Sequence, residues 1–342
     1  MDDIRIVNSL KGLSIDMINN AKSGHPGVSL GATNIIYTLY SRHMNVNIDD
    51  DKWINRDRFV LSGGHASALL YSMLYFMGFL TGKTAIITGG GRAVLSNGEC
   101  GSIGYGIATA YAKEGANLVL TGRNVQKLTD AKEELEAKYG IKVLPVQADV
   151  SAGSDNEAIV QNVVKQAIDT FGRIDVLINN AQASASGVTI ADHTTEQFDL
   201  AVYSGLYAAF YYMKACYPYL KETKGSVINF ASGAGLFGNF GQCAYAAAKE
   251  GIRGLTRVAA TEWGPDGINV NVVCPLAWTA QLEKFEQAYP DAFKANVKMP
   301  PMGHFGDVEK EIGRVCVQLA SPDFKYMSGE TLTLEGAMGQ RP

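Results

Sequence analysis

Thr84-Ala85-Ile86-Ile87-Thr88-Gly89-Gly90-Gly91 opens the part of this chain that decides its fold. An apolar run of strand length that ends in glycines reads as a strand buried on both faces. A helix is expected next, over Ile103–Lys113. A strand, a glycine-rich turn and a helix N-terminus together make an anion site, because backbone N–H groups point outward and glycines let a phosphate approach. The turn here is stretched. Twelve residues, 90–101, separate Gly89 from Ser102-Ile103-Gly104, where a common dinucleotide fingerprint has only about three. A flexible surface loop is the competing reading of that stretch.

Moving outward, strands are expected at 118–121, 142–146, 174–179, Ser226–Phe230 and 268–273, with helices between them, the first of these over Val125–Tyr139. Such alternation predicts an α/β fold, a doubly wound parallel sheet covered on both faces. Residues 1–80 read differently. Ile6, Leu10, Leu13 and Met17 mark one helix face, ended by Ser23-Gly24-His25-Pro26-Gly27. A second helix carries Ile35, Ile36, Leu39 and Tyr40, and a third is expected at 69–77, with a short strand at 59–61. Leu80-Thr81-Gly82-Lys83 leads into the sheet without a low-complexity linker. The expected division is a helical segment at 1–80 and a sheet domain at 81–342, packed together.

The bulk composition excludes several classes. With 46% hydrophobic and 19% charged residues and a net charge of −4, the 342-residue chain has no electrostatic case for nucleic acid or an anionic membrane. Cys100, Cys216, Cys243, Cys274 and Cys316 are scattered, odd in number and without a C-x-x-C pair, as expected of reduced thiols. His25, His43, His65, His193 and His304 share no metal-ligand spacing, so no metal is expected. The acidic start Met1-Asp2-Asp3 and the lack of an eighteen-residue apolar run give a cytoplasmic expectation.

Tyr245-Ala246-Ala247-Ala248-Lys249 carries the chemistry, with Ser232 thirteen residues before the tyrosine. A tyrosine and a lysine at i and i+4 of a helix face the same way. An ammonium there would pull the phenol below its ordinary value of about 10, giving an acid or base usable near neutral pH. Ser232, on a neighbouring element, would hold a carbonyl oxygen while Tyr245 protonates it. The bland alternative is a core tyrosine beside a solvated lysine.

From residue 80 onward the chain resembles the short-chain dehydrogenase/reductase family. The resemblance rests on Gly82-Lys83-Thr84-Ala85-Ile86-Ile87-Thr88-Gly89-Gly90, Asp149-Val150, Asn179-Asn180-Ala181, Ser232, Tyr245 with Lys249, Asn271-Val272-Val273-Cys274-Pro275, and Gly329-Glu330-Thr331-Leu332-Thr333-Leu334-Glu335-Gly336. It implies hydride transfer with a nicotinamide dinucleotide. It implies further that Ser232 orients the carbonyl, Tyr245 exchanges the proton, and Lys249 lowers the tyrosine pKa and binds ribose. Asp149 and Val150 would sit beside adenine, with Asn180 and Ala181 bordering the cofactor. The cofactor residues so implied are Gly89, Ser102, Ile103, Gly104, Arg123, Asp149, Val150, Asn180, Ala181, Tyr245, Lys249 and Pro275.

Three departures stand out. The family's proton-relay asparagine falls at Gly205, so a relay must use water or a backbone carbonyl. The Asn-Asn-Ala-Gly motif ends in Gln182, and Pro-Gly after the sixth strand becomes Pro275-Leu276. Ser102-Ile103-Gly104-Tyr105-Gly106-Ile107-Ala108 resembles the helix start of enoyl-acyl-carrier-protein reductases, but the plain Ser/Tyr-x-x-x-Lys spacing favours a carbonyl/alcohol enzyme. The second strand ends Thr121-Gly122-Arg123-Asn124 without the acid that would select NAD(H). Arg123 could meet a 2′-phosphate or stack on adenine.

Residues 4–79 resemble the start of transketolases, through Ser23-Gly24-His25-Pro26-Gly27, Trp53-Ile54-Asn55-Arg56-Asp57-Arg58-Phe59-Val60-Leu61-Ser62 and Gly64-His65-Ala66-Ser67. The segment stops before that family's metal- and diphosphate-holding motif, so thiamine diphosphate is not expected and a packing or oligomer role is. Joined to a short-chain domain, the arrangement resembles bacterial 20β-hydroxysteroid dehydrogenases. That implies NAD(H), with NADP(H) still open, and an apolar substrate, a C20 steroid ketone. Trp278, Phe285, Tyr289, Phe293, Met299 and Met302, after the sixth strand, suit a flat greasy ligand, loop packing or a subunit interface equally. A general ketoreductase, and an inactive fold serving as a binding subunit, are the alternatives. The family resemblance implies a homotetramer, pairing through the helix at 195–220, the Tyr245 helix and the last strand, Thr331–Leu334.

Overall fold

The computed structural model describes residues 3–22, 26–44, 69, 80–151 and 153–339. The chain divides into two compact units, Met1–Thr81 and Gly82–Pro342. In the first, α1 (Asp3–Ala21) and α2 (Pro26–Thr38) pack together, α2 running on into a π turn at Leu39–His43. Pro26 begins α2, where its missing N–H leaves no helical bond unmade. Leu10 and Ile36 are buried with Leu69, and Ile6, Ala32, Tyr37 and Tyr40 pack around them. Leu13 and Met17, expected on the same face, are half-buried. The expected strand at 59–61, the third helix apart from Leu69, and the motifs at 23–25, 53–62 and 64–67 lie outside the described residues.

The second unit is built on seven strands: β1 (Thr84–Thr88), β2 (Asn117–Gly122), β3 (Val143–Gln147), β4 (Val176–Asn179), β5 (Ser226–Phe230), β6 (Asn269–Pro275) and β7 (Thr331–Leu334). They form one sheet in the order β3-β2-β1-β4-β5-β6-β7, and every pairing is parallel. Strands β1, β4 and β5 are buried along their whole length, as a sheet covered on both faces requires. Because side chains alternate, Ile86, Val119, Leu177, Val227 and Val270 face one way. They meet Val160, Val163 and Ala167 of α5 (Asn156–Phe171) and Tyr212, Met213 and Cys216 of α7 (Ala208–Thr223). Helices α3 (Ile103–Lys113) and α4 (Val125–Tyr139) have the bounds expected from sequence.

Strand order reverses between β1 and β4. In open parallel sheets that reversal leaves a crevice beyond the strand C-termini, and the residues after β1, β2, β3 and β4 converge on it. The helix expected at 195–220 is instead α6 (Thr195–Ala201) and α7, joined through a π turn at Val202–Tyr207. Ser204, within that turn, is buried, and its Oγ lies 2.5 Å from Leu200 O and 3.0 Å from both Ala183 N and Ala183 O. A side chain that bonds the i−4 carbonyl of its own helical ladder in this way bends a helix.

Candidate active site

The crevice is a cleft of about 700 Å³. Gly89, Ser102, Ile103, Gly104, Arg123, Asp149, Val150, Asn180, Ala181, Tyr245 and Lys249 all border it. Two predicted residues do not. Pro275 sits in the β6 ladder opposite Leu334, and the cleft wall on that side comes instead from Thr279, Ala280, Gln281 and Lys284. Ser232 does not line the cleft; it bears on the site through the Tyr245 phenol, whose pKa it acts to lower. Sequence reasoning missed Lys127, Ser151, Ala183 and Ser204, and it took Gln182 only as a motif defect; all five line the cleft.

The stretched turn is a small hairpin. Val94 bridges Cys100, Gly101 N donates to Ala93 O (2.7 Å) and Leu95 N donates to Glu99 O (2.9 Å). Arg92 binds Glu134 of α4 at 2.5 Å, holding that carboxyl down at about 2 together with Lys138 and Tyr105, against the effect of burial. Ser96 donates through its N–H (3.0 Å) and Oγ (2.6 Å) to Glu283 of α10 (Ala280–Ala288). The alternative of a loose surface loop does not fit this bonding.

The residues present fit a dinucleotide. The first-turn amides of a helix lack acceptors within it, and at this end of α3 Ser102, Ile103 and Gly104 line the cleft. Ser102 caps the helix through Tyr105 N at 3.4 Å. Asn180 fastens the β4 end to β1, donating its N–H to Thr88 Oγ1 and its Nδ2 to Thr88 O, both at 2.9 Å. Asp149 is kept ionised below its ordinary value by Ser151, whose Oγ stands 2.6 Å away. The charged side chains Arg123 and Lys127 flank the β2 end of the cleft.

Tyr245 and Lys249 lie on α9 (Cys243–Trp263). A buried chain positions that helix: Asn179 Nδ2 donates to Asn229 Oδ1 (2.8 Å), and Asn229 Nδ2 donates to Thr256 Oγ1 (2.8 Å). Ser232 is the N-cap of the short helix α8 (Gly233–Phe237), accepting from Ala234 N at 3.2 Å. Lys249 is buried, donates to Phe230 O at 2.7 Å, and holds Nζ 5.4 Å from the centre of the Tyr245 ring. The expected depression of the phenol is not what the geometry produces. Burial raises Tyr245 above the ordinary tyrosine value, and the Ser232 hydrogen bond acts in the opposite direction. Burial also lowers Lys249 to about 7, because its ammonium is cut off from water.

The aromatic residues after β6 pack largely on one another. Ring centres lie 6.1 Å apart for Trp278 and Phe293, 5.7 Å for Trp278 and Phe305, and 6.0 Å for Phe285 and Phe293. Trp278, Phe293 and Met299 line a second cavity of about 480 Å³, which holds none of Ser232, Tyr245 or Lys249. Of the three readings open to these residues, loop packing describes Trp278, Phe285 and Phe293. Among the described residues no group of three His, Cys, Asp or Glu side chains could hold a metal, and no helix is long and apolar enough to cross a membrane.

A parallel sheet of this order, with a dinucleotide-shaped crevice and a Ser/Tyr/Lys set beside it, defines a class, and comparison with known proteins agrees. The profile described as Enoyl-(Acyl carrier protein) reductase matches residues 98–338, and that of the transketolase thiamine diphosphate binding domain matches residues 2–85. The chain belongs to the short-chain dehydrogenase/reductase family and is an oxidoreductase acting on CH–OH groups. It is 71% identical to a 12alpha-hydroxysteroid dehydrogenase of Clostridium sp., over 78% of this chain and the whole of that protein. It is 30% identical to a 3-oxoacyl-[acyl-carrier-protein] reductase of Thermotoga maritima, over 72% of this chain and 98% of that one. A solved structure from Sinorhizobium meliloti 1021, assigned as a short-chain alcohol dehydrogenase, superposes with a TM-score of 0.66 at 28% identity, covering 75% of this chain and 96% of that one.

Proposed function

We propose that this chain is a hydroxysteroid dehydrogenase that interconverts a 12α-hydroxyl and a 12-ketone on a steroid. The observation that carries this reading is the 71% identity to a 12alpha-hydroxysteroid dehydrogenase along that protein's full length. The C20 position expected from sequence has no such support, and C12 replaces it. Ile190, Phe237 and Phe240 give further support: all three are exposed, Phe237 at the end of α8 and Ile190 and Phe240 on the loops that follow β4 and β5. Gly187 N joins those loops by donating to Gly241 O at 2.9 Å. Exposed apolar side chains at the end of the sheet where the cleft opens suit a flat apolar ligand.

A bound nicotinamide dinucleotide supplies the hydride or takes it back. Ser232 holds the substrate oxygen, Tyr245 gives it a proton, and Lys249 stands behind the tyrosine. The C20 resemblance no longer supports the NAD(H) expectation, which keeps only the enoyl-reductase-like turn before α3 in its favour. Arg123 and Lys127 beside the cleft, with no acid at the end of β2, support NADP(H), since guanidinium and ammonium groups attract a 2′-phosphate and an acid repels it.

Absorbance assays with NADPH and NADH against a 12-oxo steroid, cortisol and a short 3-oxoacyl thioester test all of this. Turnover of the 12-oxo steroid, faster with NADPH, is expected. Turnover of cortisol alone would restore the C20 reading, and turnover of the thioester alone would make the chain a general ketoreductase. A cofactor that binds without turnover of any ketone would favour a binding role.

We propose also that the chain is a homotetramer with twofold symmetry. Tyr207, Phe210 and Val258 are exposed on the π turn, α7 and α9, the elements expected to pair. Light scattering should return the mass of four chains; a monomer in solution would reject the assembly.

A further inference from the structure

Two of the sequence departures are neighbours in space. Gly205 lies in the π turn, and a Cβ built on it would stand 2.7 Å from Gln182 Cδ, 2.8 Å from Nε2 and 2.9 Å from Oε1. The Gln182 carboxamide therefore occupies the volume that any side chain at 205 would need. Nε2 donates to Ala201 O at 3.3 Å, and Ser204 clamps the next residue through Ala183 N and O at 3.0 Å each. The carboxamide is thus held between the loop after β4 and the π turn. Oε1, by contrast, is buried and has no hydrogen-bond partner among the described residues. A buried carbonyl oxygen without a donor is unfavourable unless water or a ligand brings one.

Gln182 shares the cleft with Tyr245 and Lys249. On the reductase reading each ketone reduced takes one proton through Tyr245, and a route from solvent must replace it; Lys249, with Nζ 5.4 Å from the ring centre, is buried beside it. A water on this route needs a fixed acceptor to orient it. We propose that Gln182 is a positioning residue for proton supply: its Oε1 accepts a hydrogen bond from the water that restores the proton beside Lys249, and Gly205 is glycine so that the carboxamide can reach that place. This rests on the reductase reading above.

The test compares Gln182→Met, which keeps the bulk against Gly205 but removes the acceptor, with Gln182→Glu, which keeps an acceptor oxygen. A third variant, Gln182→Gly with Gly205→Asn, returns a carboxamide from the helix side. Expected is a kcat for ketone reduction lower by roughly 10–100-fold in Gln182→Met, with a larger solvent deuterium isotope effect and an altered pH profile. Cofactor affinity by fluorescence titration and the thermal midpoint should hold within twofold and a few degrees. Gln182→Glu and the double variant should recover much of the rate. Normal kcat and pH profile in Gln182→Met would overturn the proposal. So would weakened cofactor binding at unchanged kcat, because the oxygen would then serve the cofactor. Tyr245→Phe, run alongside, separates the two levels: if it is fully active, the reductase reading fails whatever Gln182 does.

Discussion

Replacing Tyr245 by phenylalanine is expected to lower kcat by about 10²–10⁴-fold, the usual worth of a positioned general acid, while cofactor affinity stays near that of the parent. The substitution removes the phenolic proton and the hydroxyl on which Ser232 acts but keeps the ring near Lys249, whose Nζ stands 5.4 Å from its centre. Comparing kcat/KM with cofactor titration distinguishes loss of the acid from loss of the pocket. Near-normal rates would remove Tyr245 from the mechanism. The direction of the parent reaction should follow pH: reduction consumes a proton and is favoured as pH falls, and oxidation releases one and is favoured as pH rises. Burial raises the phenol above its ordinary value, so Tyr245 stays protonated across the neutral range in the cofactor-free protein. It is ready to give a proton and slow to take one.

Gly104→Ala is expected to destabilise the sheet domain by about 3 kcal/mol, in the upper part of the range for overpacking, and to weaken cofactor binding at least tenfold. A Cβ there would lie 2.2 Å from Gly89 O and 2.8 Å from Asn180 Nδ2. The nearest of these is backbone and cannot rotate away. Helix propensity pulls the other way, since alanine is better than glycine in a helix by about 1 kcal/mol. A loss on substitution therefore isolates the clash. Calorimetry should show the thermal midpoint falling by several degrees, together with a weaker cofactor titration. An unchanged midpoint would mean that α3 can lift off the β1 turn, and that the close seating of Gly104 on Gly89 does not shape the cleft.

Much of this protein was legible in its residues. The strands came from short apolar runs, and the bounds of α3 and α4 from periodicity and caps, because both signals are local. Tyr245 and Lys249 could be paired because a helix brings i and i+4 together wherever it lies, and Ser232 joined them only through the family's spacing. The hairpin at 90–101 was beyond reach. Its fold depends on Glu134 and on Glu283, which is almost two hundred residues away along the chain. The sign of the Tyr245 shift was missed for a similar reason. Spacing places a lysine near the ring, but burial, decided by the packing of many residues, raises the phenol and lowers the lysine to about 7.

Gln182 and Gly205 show the division most clearly. By itself the sequence determined that each position departs from the family pattern, and it pointed to the class of chemistry through the Ser232, Tyr245 and Lys249 motif. That the two departures fill one another's space was decided only by the tertiary structure. The loop after β4 and the π turn meet through Ser204 and Ala183, residues 21 positions apart. A contact of that kind is set by the crossing of a strand end over a helix, and no local pattern of residues encodes that crossing.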